Sequence, residues 1–200
     1  MRGLPKIKVC GVNDAAFARR AEELGADCLG FIFAEGSPRR VTPCKAAEIA
    51  AALVGKARRV GVFTRGTVGE MLDVARMVPL DVVQLHGKEW SAEDVRALKD
   101  AGLEVWTLDG AEARGDAVVV DGVAHGMSGG TGRLADWSRV AALKEDGVRV
   151  VLAGGISAEN IRAAAETGCD VLDVNSSLEI RPGVKSTELR ERLFAVNMVE

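Results

Sequence analysis

Eight short runs of β-branched and other apolar residues recur along the chain, and stretches rich in Ala, Glu and Arg lie between them. This alternation constrains the fold more than any other feature. The runs fall at residues 7–10, 28–33, 59–63, 82–86, 104–108, 117–121, 149–153 and 171–174. They begin about 23 residues apart on average, the length needed for a strand, a loop and a helix. The spacing predicts helices over 14–24 with Asn13 as cap, 44–54 behind Thr42-Pro43, 67–77, 91–101 behind Ser91 and Asp94, 135–146, 157–166 and 186–196. In 67–77, Val68, Met71, Leu72 and Ala75 share one face.

Alternating strands and helices imply parallel pairing with right-handed crossovers. Eight such units close into a (β/α)8 barrel, and the whole of 1–200 is read as one barrel domain. An open doubly wound sheet fits less well, because KVCGVND stands after the first run where a GxGxxG loop is needed. One unit is abnormal. Only DGAEARGD separates the fifth and sixth runs, too few residues for a helical crossover of about ten or more. The fifth helix is therefore expected to be missing or reduced to about one turn. Its absence would leave apolar barrel surface near strands five and six for a partner subunit to cover.

Composition narrows the class. The net charge is −3, which offers no electrostatic footprint for nucleic acid or an anionic membrane. The longest uninterrupted apolar run, 49–54, is too short to span a bilayer, and residues 1–8 lack the apolar core of a secretory signal. Cys10, Cys28, Cys44 and Cys169 form no CxxC pair and read as reduced thiols in a cytoplasm. His86 and His125 are too few and too distant for a histidine-rich metal centre.

Barrels carry their chemistry at the C-terminal ends of the strands. Those ends deliver Cys10, Phe33 with the loop EGSPRRV, Gln84 and His86, Asp121 with GMSGGTG, Gly154-Gly155, and Asp173 with Asn175-Ser176-Ser177. Small residues after strands seven and eight, beside a helix opened by Ser157, suit a phosphate held by backbone N–H groups. Gly154-Gly155 alone would also serve a tight turn. A thiolate can act as a base and a carboxylic acid as a proton donor, so Cys10 facing Asp121 across the mouth suits proton-transfer isomerisation of a sugar phosphate. Taken singly, Cys10 reads as a small buried hydrophobe and Asp121 as a turn residue. Arg39 offers a two-point fork for a carboxylate, while Arg40 reads as a solvated neighbour. Gln84 and His86 point into the barrel, as polar layer residues or hydrogen-bond partners. Trp137 reads as a helix-start residue packed on the sheet.

The segments KVCGVND (8–14), GADCLGFIFAEGSPRRV (25–41), VGVF (60–63), VVQLHG (82–87), VVVDG with SGGTGRLADW (118–137), LAGGISAENI (152–161) and the LDV–PG region (172–183) resemble, in order and spacing, the phosphoribosylanthranilate isomerase family of tryptophan biosynthesis. The resemblance implies a cofactor-free cytoplasmic barrel that catalyses an Amadori rearrangement of a small phosphosugar. It puts the general base on Cys10, the general acid on Asp121, the grip on the anthranilate carboxylate on Arg39, phosphate contacts on Gly154 and Gly155, and a sugar contact on Asp173. Gln84, His86, Asn175 and Ser176 are further substrate-binding candidates, and the working unit is expected to be a monomer or homodimer. The chain departs from the family pattern at DVNSSLE, where DVSSGVE is usual, at Thr107 for a lysine and at Arg65 for an asparagine. A glycine with positive φ replaced by Ser177 would carry about 1–2 kcal/mol of strain. A metal-dependent epimerase would need paired strand-end histidines, and a two-substrate aminoaldose isomerase would resemble barrels with aspartate at the Cys10 position. The remaining alternative is a non-catalytic or altered-specificity barrel that binds a phosphosugar.

Overall fold

A computed structural model describes residues 5–87, 89–122 and 137–197. Eight parallel strands close into a barrel in sequence order: β1 Lys6–Cys10, β2 Cys28–Ile32, β3 Arg58–Phe63, β4 Val82–Leu85, β5 Glu104–Leu108, β6 Ala117–Val120, β7 Val150–Leu152 and β8 Val171–Val174. Helices α1 Ala15–Glu23, α2 Pro43–Ala51, α3 Val68–Met77 and α4 Ala92–Asp100 follow the first four strands. Beyond them come α5 Ser138–Glu145, α6 Ile161–Glu166 and α7 Thr187–Asn197. Between β8 and α7 an antiparallel hairpin, β9 Glu179–Arg181 and β10 Val184–Lys185, had no counterpart in the sequence reading.

Local signals set most boundaries. Thr42 caps α2 with Pro43 in the first turn. Thr67 with Glu70 and Ser91 with Asp94 form capping boxes at the starts of α3 and α4. The first cap differs from expectation. Asp14, not Asn13, accepts the Phe17 N–H, because Asn13 is turned to donate to the Gly183 carbonyl. The sixth helix also opens later than Ser157. Residues 157–160 form a turn closed by the Asn160 side chain, and the helix begins at Ile161.

The strands alternate between two cores. Val9, Leu29, Phe31, Val83, Leu85, Val105, Val118 and Leu152 face the helices. Cys10, Cys28, Val60, Val62, Val82, Trp106, Val119 and Val151 fill the barrel. The buried polar residues Lys8, Gln84 and Asp173 share the inward parity of β1, β4 and β8.

No helix lies between β5 and β6, as the eight-residue spacing predicts. The expected exposed patch is absent there, however. Ala113 is buried, and Gly115 donates its N–H to Thr107 Oγ1, so the short connection itself lies over the outer face of these strands. Among the described residues the exposed large apolar side chains are Val54, Met77 and Ile180, all elsewhere. Thr107 accordingly sits on the outer face, away from the mouth. A Cβ on Gly115 would lie 2.3 Å from the Val105 carbonyl oxygen. Gly115→Ala is expected to destabilise the protein by about 1–3 kcal/mol, since backbone must move to admit it. Urea denaturation of the two proteins measures this.

Candidate active site at the barrel mouth

Cys10 is the last residue of β1, points inward and is 4% exposed. Beneath it lies Lys8, fully buried, whose ammonium donates to Cys10 Sγ at 3.3 Å, Gln84 Oε1 at 2.9 Å and Asp173 Oδ2 at 2.5 Å. Strand register makes the last contact, because Lys8 and Asp173 are paired neighbours on β1 and β8. Burial opposes the Lys8 charge, but Asp173 and Cys10 outweigh it and raise its pKa above the usual lysine value. Burial pushes the Cys10 thiol pKa up, while the Lys8 charge pulls against that.

Asp121 follows β6 directly and stands at the same end of the barrel. Its Oδ2 is 3.7 Å from His86 Nε2, just beyond β4. Burial lowers the His86 pKa against the attraction of Asp121, favouring neutral imidazole. Gly154 has φ +86°, and a Cβ there would lie 2.3 Å from Gly122 N and 2.9 Å from Asp121 Oδ1. That glycine lets the β7 end close against the β6 end and fixes the backbone that carries Asp121.

Gly155 is also left-handed, at φ +71°. The N–H groups of Gly154, Gly155 and Ser176 find no acceptor among the described residues. These loop amides are therefore available as anion donors. Ser176 opens a short 3₁₀ turn, Ser176–Leu178, and Ser177 within it donates to the Ile156 carbonyl at 2.6 Å. No described residue other than glycine has positive φ, so the strain expected at Ser177 does not arise. The turn keeps it in a conformation open to any residue.

Arg39 is buried, with Nε and Nη2 on the carboxylate of Glu179 at 2.8–3.1 Å. Its fork is thus partly engaged by the chain's own acid. Glu179 also receives Lys185 Nζ at 3.2 Å, and Lys185 donates to Asn175 Oδ1 at 2.9 Å. Burial works against the Glu179 charge, but Arg39 and Lys185 hold its pKa below the usual value. Burial lowers the Lys185 pKa although Glu179 opposes the shift. Lys8, Arg39 and Lys185 face Asp173 and Glu179, leaving one positive charge in excess among these five groups. Asp173 Oδ1 and His86 Nδ1 are buried and unpaired among the described residues.

Cys10, Arg39, Gln84, Asp173 and Asn175 thus converge at the β1, β4 and β8 ends, and His86, Asp121, Gly154 and Gly155 at the β4, β6 and β7 ends. Arg40 is exposed, as expected. His125 and the loop 123–136 lie outside the described residues. Lys8, Glu179 and Lys185 were missed. Lys8 carried one signal: it sits two places before Cys10 on a strand, so both face the same way.

The family model for N-(5'phosphoribosyl)anthranilate (PRA) isomerase matches residues 7–195. The chain is 40% identical to the N-(5'-phosphoribosyl)anthranilate isomerase of Rubrobacter xylanophilus, over 96% of this chain and 98% of that one. Its fold is similar to the phosphoribosyl anthranilate isomerase of Thermus thermophilus, with TM-score 0.86, 34% identity and coverage of 96% and 98%. It is also similar to a phosphoribosyl anthranilate isomerase in complex with reduced 1-(o-carboxyphenylamino)-1-deoxyribulose 5-phosphate, with TM-score 0.81, 28% identity and coverage of 96% and 97%.

Proposed function

The chain belongs to the N-(5'-phosphoribosyl)anthranilate isomerase family, and on that premise we propose that it converts N-(5′-phosphoribosyl)anthranilate to 1-(2-carboxyphenylamino)-1-deoxyribulose 5-phosphate in tryptophan biosynthesis. The observation that carries the reading is an inward thiol ending β1 and a carboxyl following β6 at one barrel mouth.

Asp121 gives a proton to the furanose ring oxygen, the C1′–O bond opens, and a Schiff base forms. Cys10 takes the C2′ proton, the electron pair moves toward the imine nitrogen, and an enolamine results. Tautomerisation then adds a proton at C1′ and removes the C2′ hydroxyl proton to give the ketone, and exchange with solvent takes the proton from the Cys10 thiol and returns one to Asp121. The loop N–H groups of Gly154, Gly155 and Ser176 support a phosphate, and Asn175 borders that loop. Asp173 Oδ1 and His86 Nδ1 are buried polar atoms suited to sugar hydroxyls, and Gln84 steadies Lys8 below them. Arg39, held on one edge by Glu179, has Nη1 left for the anthranilate carboxylate. Arg39 and Lys185 share the single carboxylate of Glu179, and this local positive excess suits an anionic substrate.

One chain supplies the whole constellation, so a single copy suffices, alone or in a homodimer, and the reading places it in the cytoplasm. The test is fluorescence of the anthranilate group with purified full chain and synthetic substrate. Expected is catalytic decay of substrate fluorescence with the ketone as product. Binding without turnover would overturn the reading in favour of a phosphosugar-binding barrel.

A further inference from the structure

We propose that Lys8 is a positioning residue for this reaction, a buried ammonium tripod that fixes the Cys10 sulfur and stabilises its thiolate. The inference rests on the isomerase reading above and adds a role for a side chain that does not touch the substrate.

The geometry carries it. Lys8 has three N–H donors, and three acceptors surround it: Cys10 Sγ, Gln84 Oε1 and Asp173 Oδ2. They come from β1, β4 and β8, so Lys8 ties three strands of the barrel to one sulfur. A lysine with no exposure is rare unless its charge is matched, and Asp173 supplies that match. Burial should hold a thiol protonated, and Asp173 nearby adds to that. Two cations oppose both, Lys8 in contact with the sulfur and Lys185 at longer range, and Lys8 is the larger influence.

The neighbouring strand keeps the space open. Gly30 on β2 pairs with Cys10, and a Cβ there would lie 2.8 Å from Cys10 Sγ and 3.0 Å from Lys8 Cε. Absence of a side chain at 30 thus lets sulfur and ammonium meet. When Cys10 accepts the C2′ proton, Lys8 keeps its three protons and only its contact to sulfur weakens. The proton balance of this step is therefore confined to substrate and thiol.

The test uses the full chain in a Cys44→Ser background, because Cys44 is exposed and would compete for reagent. Iodoacetamide modification of Cys10, located by peptide mass spectrometry, is followed against pH. Lys8→Met is expected to move the midpoint upward, to slow modification at neutral pH by about tenfold or more, and to lower kcat at least as much with KM within about threefold. Asp173→Asn should move the midpoint the other way. A native Lys8→Met protein with an unmoved midpoint overturns the proposal. If Lys8→Met does not fold, the double variant Lys8→Met/Asp173→Asn replaces it, since no buried carboxylate is then left unmatched. Its midpoint should still lie above the wild-type value, and one at or below that value overturns the proposal. Failure of the underlying reading is distinct: a fully active Cys10→Ala protein removes the base assignment, and the Lys8 role with it, whatever the midpoints are.

Discussion

Cys10→Ser is expected to lower kcat by about 10³-fold, inside the range for loss of a general base, with KM within about threefold. Serine keeps nearly the volume of cysteine, so the barrel stays filled, and Lys8 can donate to its hydroxyl as it does to sulfur. What serine loses is acidity: its alkoxide is inaccessible where a thiolate is within reach. Neighbouring groups do not take over. Lys8 still has Asp173 beside it in the variant, and that charge favours the protonated ammonium against burial. Asp173 itself has one oxygen committed to that ammonium. If Cys10 were only a core residue, Ser and Ala would both stay within about tenfold of wild-type kcat, and that result would remove it from the mechanism. Fluorescence assays on the three proteins, with thermal denaturation to confirm folding, decide the matter.

The barrel was legible because its signals are local and repeated. Each strand is a short apolar run with turn chemistry beside it, and the capping of α2, α3 and α4 lies within four residues in sequence. Even the missing helix was legible, since eight residues cannot make a helical crossover. What covers β5 and β6 was not. It depends on Gly115 passing against the Val105 carbonyl, a contact between backbones that no pattern of side chains announces.

The mouth was legible in the same uneven way. Cys10 and Asp121 follow from strand ends alone. Lys8 did not, because a lysine in a strand reads as surface until its acceptors are known, and two of its three lie 76 and 165 positions away. The Arg39–Glu179–Lys185 cluster was hidden for another reason. It hangs on strands of two and three residues, too short for any alternation to register. The expectation of strain at Ser177 failed because residue identity alone does not set φ. The 3₁₀ turn holds that position at negative φ and uses its hydroxyl on the Ile156 carbonyl.

Asp121→Asn is expected to lower kcat by about 10²–10⁴-fold while a product analogue still binds. The carboxamide is isosteric, so the approach of Gly154 and the spacing to His86 can be kept. It has no proton acidic enough to give to the ring oxygen, and ring opening comes before any proton is taken from C2′. The neighbouring imidazole is the obvious substitute donor. Burial, however, holds the His86 pKa below its ordinary value, and the substitution would remove the main charge that pulls it upward. Neutral imidazole is a poor acid, so the histidine should not rescue the variant. His86→Asn is accordingly expected to cost less than about tenfold in kcat, which separates the acid from its neighbour. Equal losses in the two variants would move the proton donor to His86. Near-normal turnover in Asp121→Asn would leave Asp121 as a turn residue whose packing against Gly154 is its whole role.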